Sequence, residues 1–331
     1  MKKLLTVIGF SLGSISVFSQ QDPQFSQYMY NKLFVNPAYA GMREAFCFTA
    51  IARQQWAGFD GSPRSGVFSA DCFLPNVGGR GGSGVGVNVM YDQLGFESNM
   101  AYRLNYSFHQ EIGDGGVLGI GIEAGAFSKR LGPTGSQQWL STTNWQTDPT
   151  IPTQIKKTVP DLGGGVWYQQ RNIWVGVSST HLNASQINDG IQVVSLTTHN
   201  LLFQMARHYY VAGGINLPIN PSWEIRPSFL VKSDATVTTV DLNVLAMFRQ
   251  RFWFGASYRF KDAICPMAGF QIPNVNAKSN GMPDGGLKIG FAYDYTTSDL
   301  KNYNNGTFEL FLNYCIPASN IFGVNSERFF N

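Results

Sequence analysis

From about residue 45 onward, apolar side chains recur at every second position, and few folds can use such a pattern. Tyr102, Leu104, Tyr106 and Phe108 alternate with Arg103, Asn105, Ser107 and His109. Leu287, Ile289, Phe291, Tyr293 and Tyr295 alternate with Lys288, Gly290, Ala292, Asp294 and Thr296. Successive side chains of an extended chain point to opposite faces, so each stretch has one apolar face and one small-polar or charged face. The stretches are 44–56, 63–74, 83–93, 99–112, 116–130, 159–171, 172–180, 206–217, 222–233, 236–249, 251–261, 262–273, 284–297 and 305–316, about fourteen in all.

Many of these stretches reach ten residues or more, the length that crosses a bilayer when tilted, whereas soluble strands average about five or six. Turns at Gly113-Asp114-Gly115, Gln170-Arg171-Asn172 and Arg249-Gln250-Arg251 are short, while the links 131–158 and 181–205 are long. Short turns at one rim and long loops at the other suit an outer-membrane barrel. Trp56, Tyr91, Trp167, Trp174, Trp223, Tyr258 and Tyr295 near segment ends read as aromatic girdles. A soluble sandwich or propeller alternates too, but it would not need such long strands. The expected fold is all-β: a transmembrane outer-membrane barrel of about fourteen antiparallel strands.

Composition agrees. Charged residues are 14% of the chain, against roughly 25% in an average soluble protein, yet there are 36 Gly, 25 Phe and 14 Tyr. The formal charge of +3 includes Lys2 and Lys3 in the leader; without those two it is +1. That is too little for a nucleic-acid footprint. Met1-Lys2-Lys3 followed by the uncharged, largely apolar run Leu4 to Val17 reads as a secretory signal peptide over 1–19. No later window is apolar for long enough to form a membrane helix.

Catalytic and metal signatures do not emerge. His109, His181, His199 and His208 form no HxH or HExxH, and no carboxylate stands at metal-ligand spacing from them. His109 reads as a satisfied lumen side chain. Gly84-Val85-Gly86 and Gly119-Ile120-Gly121 read as glycine on the inner face of strands, because neither precedes a helix pattern or a Lys-Ser/Thr pair. Asp92, Asp241 and Asp294 read as lumen partners of Arg103, Arg226, Arg259 or Lys288. Asn183-Ala184-Ser185 and Asn305-Gly306-Thr307 match a glycosylation sequon that carries little weight. Cys47, Cys72, Cys265 and Cys315 show no CxxC pair; they read as inert thiols, with a Cys47–Cys72 bridge open because their strands are adjacent. No enzyme activity, cofactor or metal is expected.

Residues 22–41 break the alternation. Phe25, Tyr28 and Met29 are spaced for one face of a short helix, and Asn36-Pro37 forces an extended or turn conformation. Wide barrels commonly hold a plug. The expected layout is therefore a signal peptide at 1–19, an N-terminal plug or periplasmic segment at 20–43, a barrel at 44–316 and a tail at 317–331.

Short motifs along the chain match those of a known family of outer-membrane proteins. The matching stretches are Asp22-Pro23-Gln24-Phe25-Ser26-Gln27-Tyr28-Met29, Asn36-Pro37-Ala38-Tyr39-Ala40-Gly41, Arg53-Gln54-Gln55-Trp56-Ala57-Gly58-Phe59 and Gly61-Ser62-Pro63-Arg64. Further on come Arg226-Pro227-Ser228-Phe229-Leu230-Val231-Lys232, Phe252-Trp253-Phe254-Gly255-Ala256-Ser257-Tyr258-Arg259 and Ala268-Gly269-Phe270-Gln271-Ile272. Asp262-Ala263, Tyr293-Asp294-Tyr295 and Arg328-Phe329-Phe330 complete a set that runs in order along the mature chain. By this set the sequence resembles the PorP/SprF outer-membrane proteins of the type IX secretion and gliding systems of Bacteroidota. Lys32 departs from the family's frequent Pro, and the 131–158 link with Trp139 and Trp145 looks particular to this chain.

The resemblance implies export or surface anchoring of large secreted adhesins, including motility adhesins, together with the secretion machinery, in outer-membrane lipid. It also implies kinship with fatty-acid-transporter barrels, whose function, a channel for hydrophobic small molecules, is the alternative. An outer-membrane enzyme is a third class, for which no residue cluster speaks. The partner-binding or plug residues expected are Asp22, Gln24, Phe25, Tyr28, Asn36, Pro37 and Tyr39.

Overall fold

The computed structural model describes residues 22–317, apart from 59, 76, 78–80, 114, 134–154, 189–201 and 274–285. The leader 1–19, Trp139 and Trp145 with most of their link, His199 and the tail beyond Pro317 lie outside the described residues. No helix among the described residues is long and apolar enough to cross a membrane.

The strands are β1 (Ala45–Gln54), β2 (Arg64–Leu74), β3 (Ser83–Leu94), β4 (Glu97–Ile112), β5 (Gly116–Leu131), β6 (Ile155–Gln170) and β7 (Ile173–Thr180). A short ribbon follows, β8 (Gln186–Asn188) with β9 (Leu202–Gln204). Then come β10 (His208–Ile215), β11 (Leu217–Asn220), β12 (Trp223–Ser233), β13 (Thr238–Phe248) and β14 (Phe252–Arg259). The last three are β15 (Ala263–Pro273), β16 (Gly286–Thr296) and β17 (Thr307–Pro317). β1 to β7 pair in succession, β7 pairs with β10, β10 with β12, and β12 to β17 continue the ladder until β17 meets β1. β11 extends β10 past a break at Asn216 and pairs with the start of β12. The result is a closed antiparallel barrel of fourteen strands, with β11 as an appendage. Closure pairs the first strand with the last, so the sheet leaves no edge in the lipid.

The alternation places side chains as read. On β4, Ala101, Arg103, Asn105, Ser107 and His109 are buried, and Tyr102, Leu104, Tyr106 and Phe108 between them are exposed. Ile120, Ile122, Phe254, Leu310 and Leu312 are likewise exposed on neighbouring strands. A continuous outer belt of large apolar groups suits lipid and no aqueous sandwich. The starts and ends of strands differ from the sequence reading mainly on β4 and β6, which begin at Glu97 and Ile155, and at 206–217, which Asn216 divides.

Two expectations fail. Trp167 and Trp174 are not girdle residues; they are buried inside, stacked on each other at 5.1 Å. Each lies across a glycine of the neighbouring strand, Trp167 over Gly176 and Trp174 over Gly214, where a Cβ would come within 2.3 and 2.7 Å of the ring. Toward the end of β6 the inner face is Gly163, Gly165 and Trp167, so both faces there read as apolar and the parity was ambiguous.

The cysteine expectation fails for a matter of register. Cys47 stands opposite Asp71, and Cys72 opposite Phe46, so Cys47 and Cys72 point to opposite faces of the sheet. Cys47 instead faces Cys315 across the β1–β17 seam and is bonded to it, while Cys72 and Cys265 are free thiols.

The rim where β1 begins and β17 ends carries the tight turns between β4 and β5, β6 and β7, and β13 and β14, together with the longer connections between β2 and β3 and between β15 and β16. The opposite rim carries the long links after β5 and β7 and the loop between β16 and β17. By the rule for such barrels, the first rim is periplasmic and the second is outer.

Candidate functional site

Residues 22–44 run from the outer rim to the periplasmic rim against inward-facing side chains of the wall. The spacing of Phe25, Tyr28 and Met29 suggested a short helix. The segment forms a 3-10 turn at Tyr28–Tyr30, one helical turn at Lys32–Val35 and another 3-10 turn at Pro37–Tyr39.

At the outer end, Asp22 is buried among groups from three strands and a loop. Its N–H donates to His208 Nε2 (3.1 Å) and its carbonyl accepts from Lys232 Nζ (2.7 Å). One carboxylate oxygen meets His181 Nε2 (3.1 Å); the other accepts from Tyr210 Oη (3.1 Å) and lies 3.6 Å from Arg103 Nη2. Burial pushes the Asp22 carboxyl up, but the charges of His181, His208 and Arg103 outweigh it and hold it well below its ordinary 3.8. Burial alone would lower His181, yet Asp22 on one nitrogen and Asp161 on the other (2.8 Å) raise it to about 9. Gln24 donates to Asp241 Oδ2 (2.6 Å), and Phe25 meets Phe34 edge-on at 5.5 Å.

The next anchor is a carboxylate cradle. Glu309 on β17 accepts the backbone N–H groups of Ser26 and Gln27, both at 2.8 Å. Ser26 Oγ donates to Asp294 (2.8 Å) and accepts from Arg53 Nη1 (3.0 Å) and Arg259 Nη2 (3.2 Å). Arg53 also pairs with Asp294 (2.7 Å) and Glu309 (3.1 Å), and Arg259 with Asp241 (3.0 Å). Every formal charge in this cluster has an opposite charge beside it, which is what makes burial tolerable. Tyr28 Oη meets Ser228 Oγ at 3.1 Å.

The third anchor is the Asn36-Pro37 turn. Asn36 Oδ1 accepts the Ala38 N–H (2.9 Å), and its Nδ2 donates to Val166 O (3.0 Å) and Val177 O (3.2 Å). Pro37 opens the turn, where a missing N–H costs nothing. Ser107 Oγ donates to Ala38 O (2.8 Å) and His109 Nε2 to Ala40 O (3.0 Å). This contact needs glycine in the wall: a Cβ on Gly121 would stand 2.2 Å from Ala38 N, and one on Gly84 1.8 Å from Ala40 O. Tyr39 meets Trp167 edge-on at 5.0 Å, and Lys32 Nζ sits 3.9 Å over the ring of Trp174. At the periplasmic end Arg43 pairs with Asp71 (2.7 Å).

All seven residues expected from the sequence thus touch the wall, but at three separate anchors and not in one pocket. Ser26, Arg53, Glu309, Asp161, His181 and His208 were missed as members of the site. For Arg53, Asp161, His208 and Glu309 the signal, a charged or polar group at an inward position of a strand, was visible; the partners, up to 283 residues away, were not. One further grouping joins residues that no sequence spacing connects. Asp22, His181 and His208 place one ligand-type atom each within 4.8 Å of one another.

A closed fourteen-stranded barrel with a lipid-facing belt and a polar, charge-paired interior is an integral outer-membrane β-barrel protein. This chain belongs to the type IX secretion system membrane protein PorP/SprF family, which it matches over residues 17–314. That family is one of secretion-system membrane proteins, not of enzymes, and its members work with the secretion machinery. No curated protein matches the chain. Among solved structures it is similar to the CymD monoaromatic hydrocarbon channel, with 12% identity over 88% of this chain and 93% of that one, at a TM-score of 0.49. It is also similar to the Ralstonia pickettii toluene transporter TbuX (12%, 86% and 92%, TM-score 0.48) and to a Pseudomonas aeruginosa FadL homologue (10%, 88% and 94%, TM-score 0.44). At that level the likeness is one of barrel shape and says nothing of what this chain carries.

Proposed function

We propose that the barrel binds a large secreted adhesin and exports it or anchors it at the cell surface, as an accessory of type IX secretion. Family membership over residues 17–314 carries this reading. In this account residues 22–41 act as a plug, and the outer-rim loops receive the partner polypeptide. The three anchors support the plug role. They attach the segment to strands around the barrel, and they satisfy buried charges that an open water-filled lumen would not need to pair.

The alternative, a channel for hydrophobic small molecules, requires an apolar cavity and a lateral opening. The break at Asn216 is the kind of interruption such an opening uses. The cavity beside it, of about 180 Å³, mixes the cations Lys32, Arg171, Arg226 and Lys288 with Glu44 and with Met29, Tyr30 and Trp174, so it is not an apolar one. The apolar cavity between Phe25, Phe34, Ile51 and Leu230 has only about 20 Å³, far below the several hundred Å³ of ligand pockets, and the apolar recess of about 420 Å³ beside Phe291, Phe308 and Leu310 is formed by exposed side chains of the outer wall. Secretion is therefore favoured.

Deleting the gene and immunoblotting surface adhesin tests the reading. Loss of adhesin from the surface, or its release into the medium, is the expected result. Unchanged surface adhesin together with lost uptake of a fatty acid would overturn it.

A further inference from the structure

We propose that Asp22, His181 and His208 form a binding site for one divalent transition-metal ion of the zinc class, which fastens the start of the N-terminal segment to the outer rim. The three side chains come from the segment, the loop after β7 and the start of β10, and all are buried. Two imidazoles and a carboxylate are the donor set that such ions take.

The orientation of the rings is the second observation. His208 Nδ1 donates to Ala206 O (3.1 Å) and His181 Nδ1 to Asp161 Oδ1 (2.8 Å). A ligating histidine is ordinarily held this way, by an oxygen on the far nitrogen that leaves the other directed at the ion. Here both Nε2 atoms face Asp22, and Tyr210 Oη holds the second carboxylate oxygen. A cavity of about 180 Å³ touches all three ligands and Asp92, with room for a water in a fourth coordination position.

Arg103 Nη2 stands 3.4 Å from His181 Nε2. Its charge is shared among Glu123 (3.5 Å), Asp161 (3.2 Å) and the Asp22 carboxylate itself (3.6 Å), while Lys232 is held on the Asp22 carbonyl, so an ion at the site would share Asp22 with Arg103. On loading, three metal–ligand bonds form. The Nε2 proton of His181 leaves to solvent, and the hydrogen bond from Asp22 N–H to His208 is given up. The donor atoms, up to 4.8 Å apart, must close toward the roughly 3.4 Å edge of a tetrahedral shell. Binding therefore pulls the segment against the wall.

The test uses the full mature chain, without a histidine tag, folded in detergent and stripped with a chelator. Calorimetry with Zn(II) should give one ion per chain, and Co(II) should give the visible bands of a tetrahedral site. His208→Ala should weaken binding at least about tenfold while the heat-modifiable band is kept, and Asp161→Asn should weaken it by about tenfold or more. Absence of stoichiometric Zn(II) binding by the folded wild type would overturn the proposal. So would equal binding by wild type and folded His208→Ala. If His181→Ala does not fold, His208→Ala decides alone, because the His208 ring bonds Asp22 N–H and Ala206 O and no charged group. The outcome is independent of the secretion reading.

Discussion

Asn36 uses both ends of its amide. The oxygen caps the turn that Pro37 opens, and the nitrogen bonds two carbonyls of adjacent wall strands, across a space kept free by Gly165 and Gly176. Asn36→Ala should therefore cost about 2 kcal/mol, read as a lower temperature for the shift between folded and heat-denatured gel bands. Asn36→Asp should do no better, because it turns a carboxylate oxygen toward Val166 O and Val177 O. Gly84→Val tests the wall side: its side chain would occupy the space of Ala40 O. The barrel should still form, but trypsin should now cut at Lys32; a folded variant as resistant as wild type would refute the close approach. Asn36 and Tyr39 were legible because they sit in a stretch that does not alternate. Glu309 was not, because nothing near it in sequence indicates that it receives the N–H groups of Ser26 and Gln27.

At the scale of strands, the β1–β17 seam joins the two ends of the barrel, and Cys47–Cys315 crosses it. Heat-denatured protein should migrate faster on a non-reducing gel than after reduction, since the bond closes almost the whole barrel into a loop. Cys315→Ser should abolish the difference and Cys72→Ser should leave it. Persistence in Cys315→Ser with loss in Cys72→Ser would restore the Cys47–Cys72 pairing that strand adjacency had left open. That possibility is closed because adjacency does not set register, and one residue of offset reverses the face. The strands themselves were legible, since a wall between lipid and a polar interior imposes its period on every segment. Where the inner face is also apolar, as with Gly and Trp on β6, the period persists but inside and outside cannot be told apart. The break at Asn216 left no mark beyond an Asn in an otherwise continuous run.

In the whole molecule, low charge and abundant glycine and aromatics have one origin. The outside has almost no charge because it meets lipid. The inside pairs its charges with one another and with the segment, and its glycines admit the segment and the lumen tryptophans. Deleting residues 22–41 should thus leave a heat-modifiable barrel but raise cell sensitivity to a large antibiotic normally excluded by the outer membrane; a folded deletion variant with unchanged sensitivity would contradict the plug. Secretion itself was legible only through the motifs from Asp22 to Phe330, because a barrel wall constrains residues by lipid and packing whatever passes it.

The most direct test of the account is purification of the tagged barrel from native outer membranes, with identification of what accompanies it. The account predicts secretion-machinery components and a large secreted adhesin at levels comparable to the barrel. A barrel that comes away with bound hydrophobic small molecules, and with neither of those proteins, would contradict it.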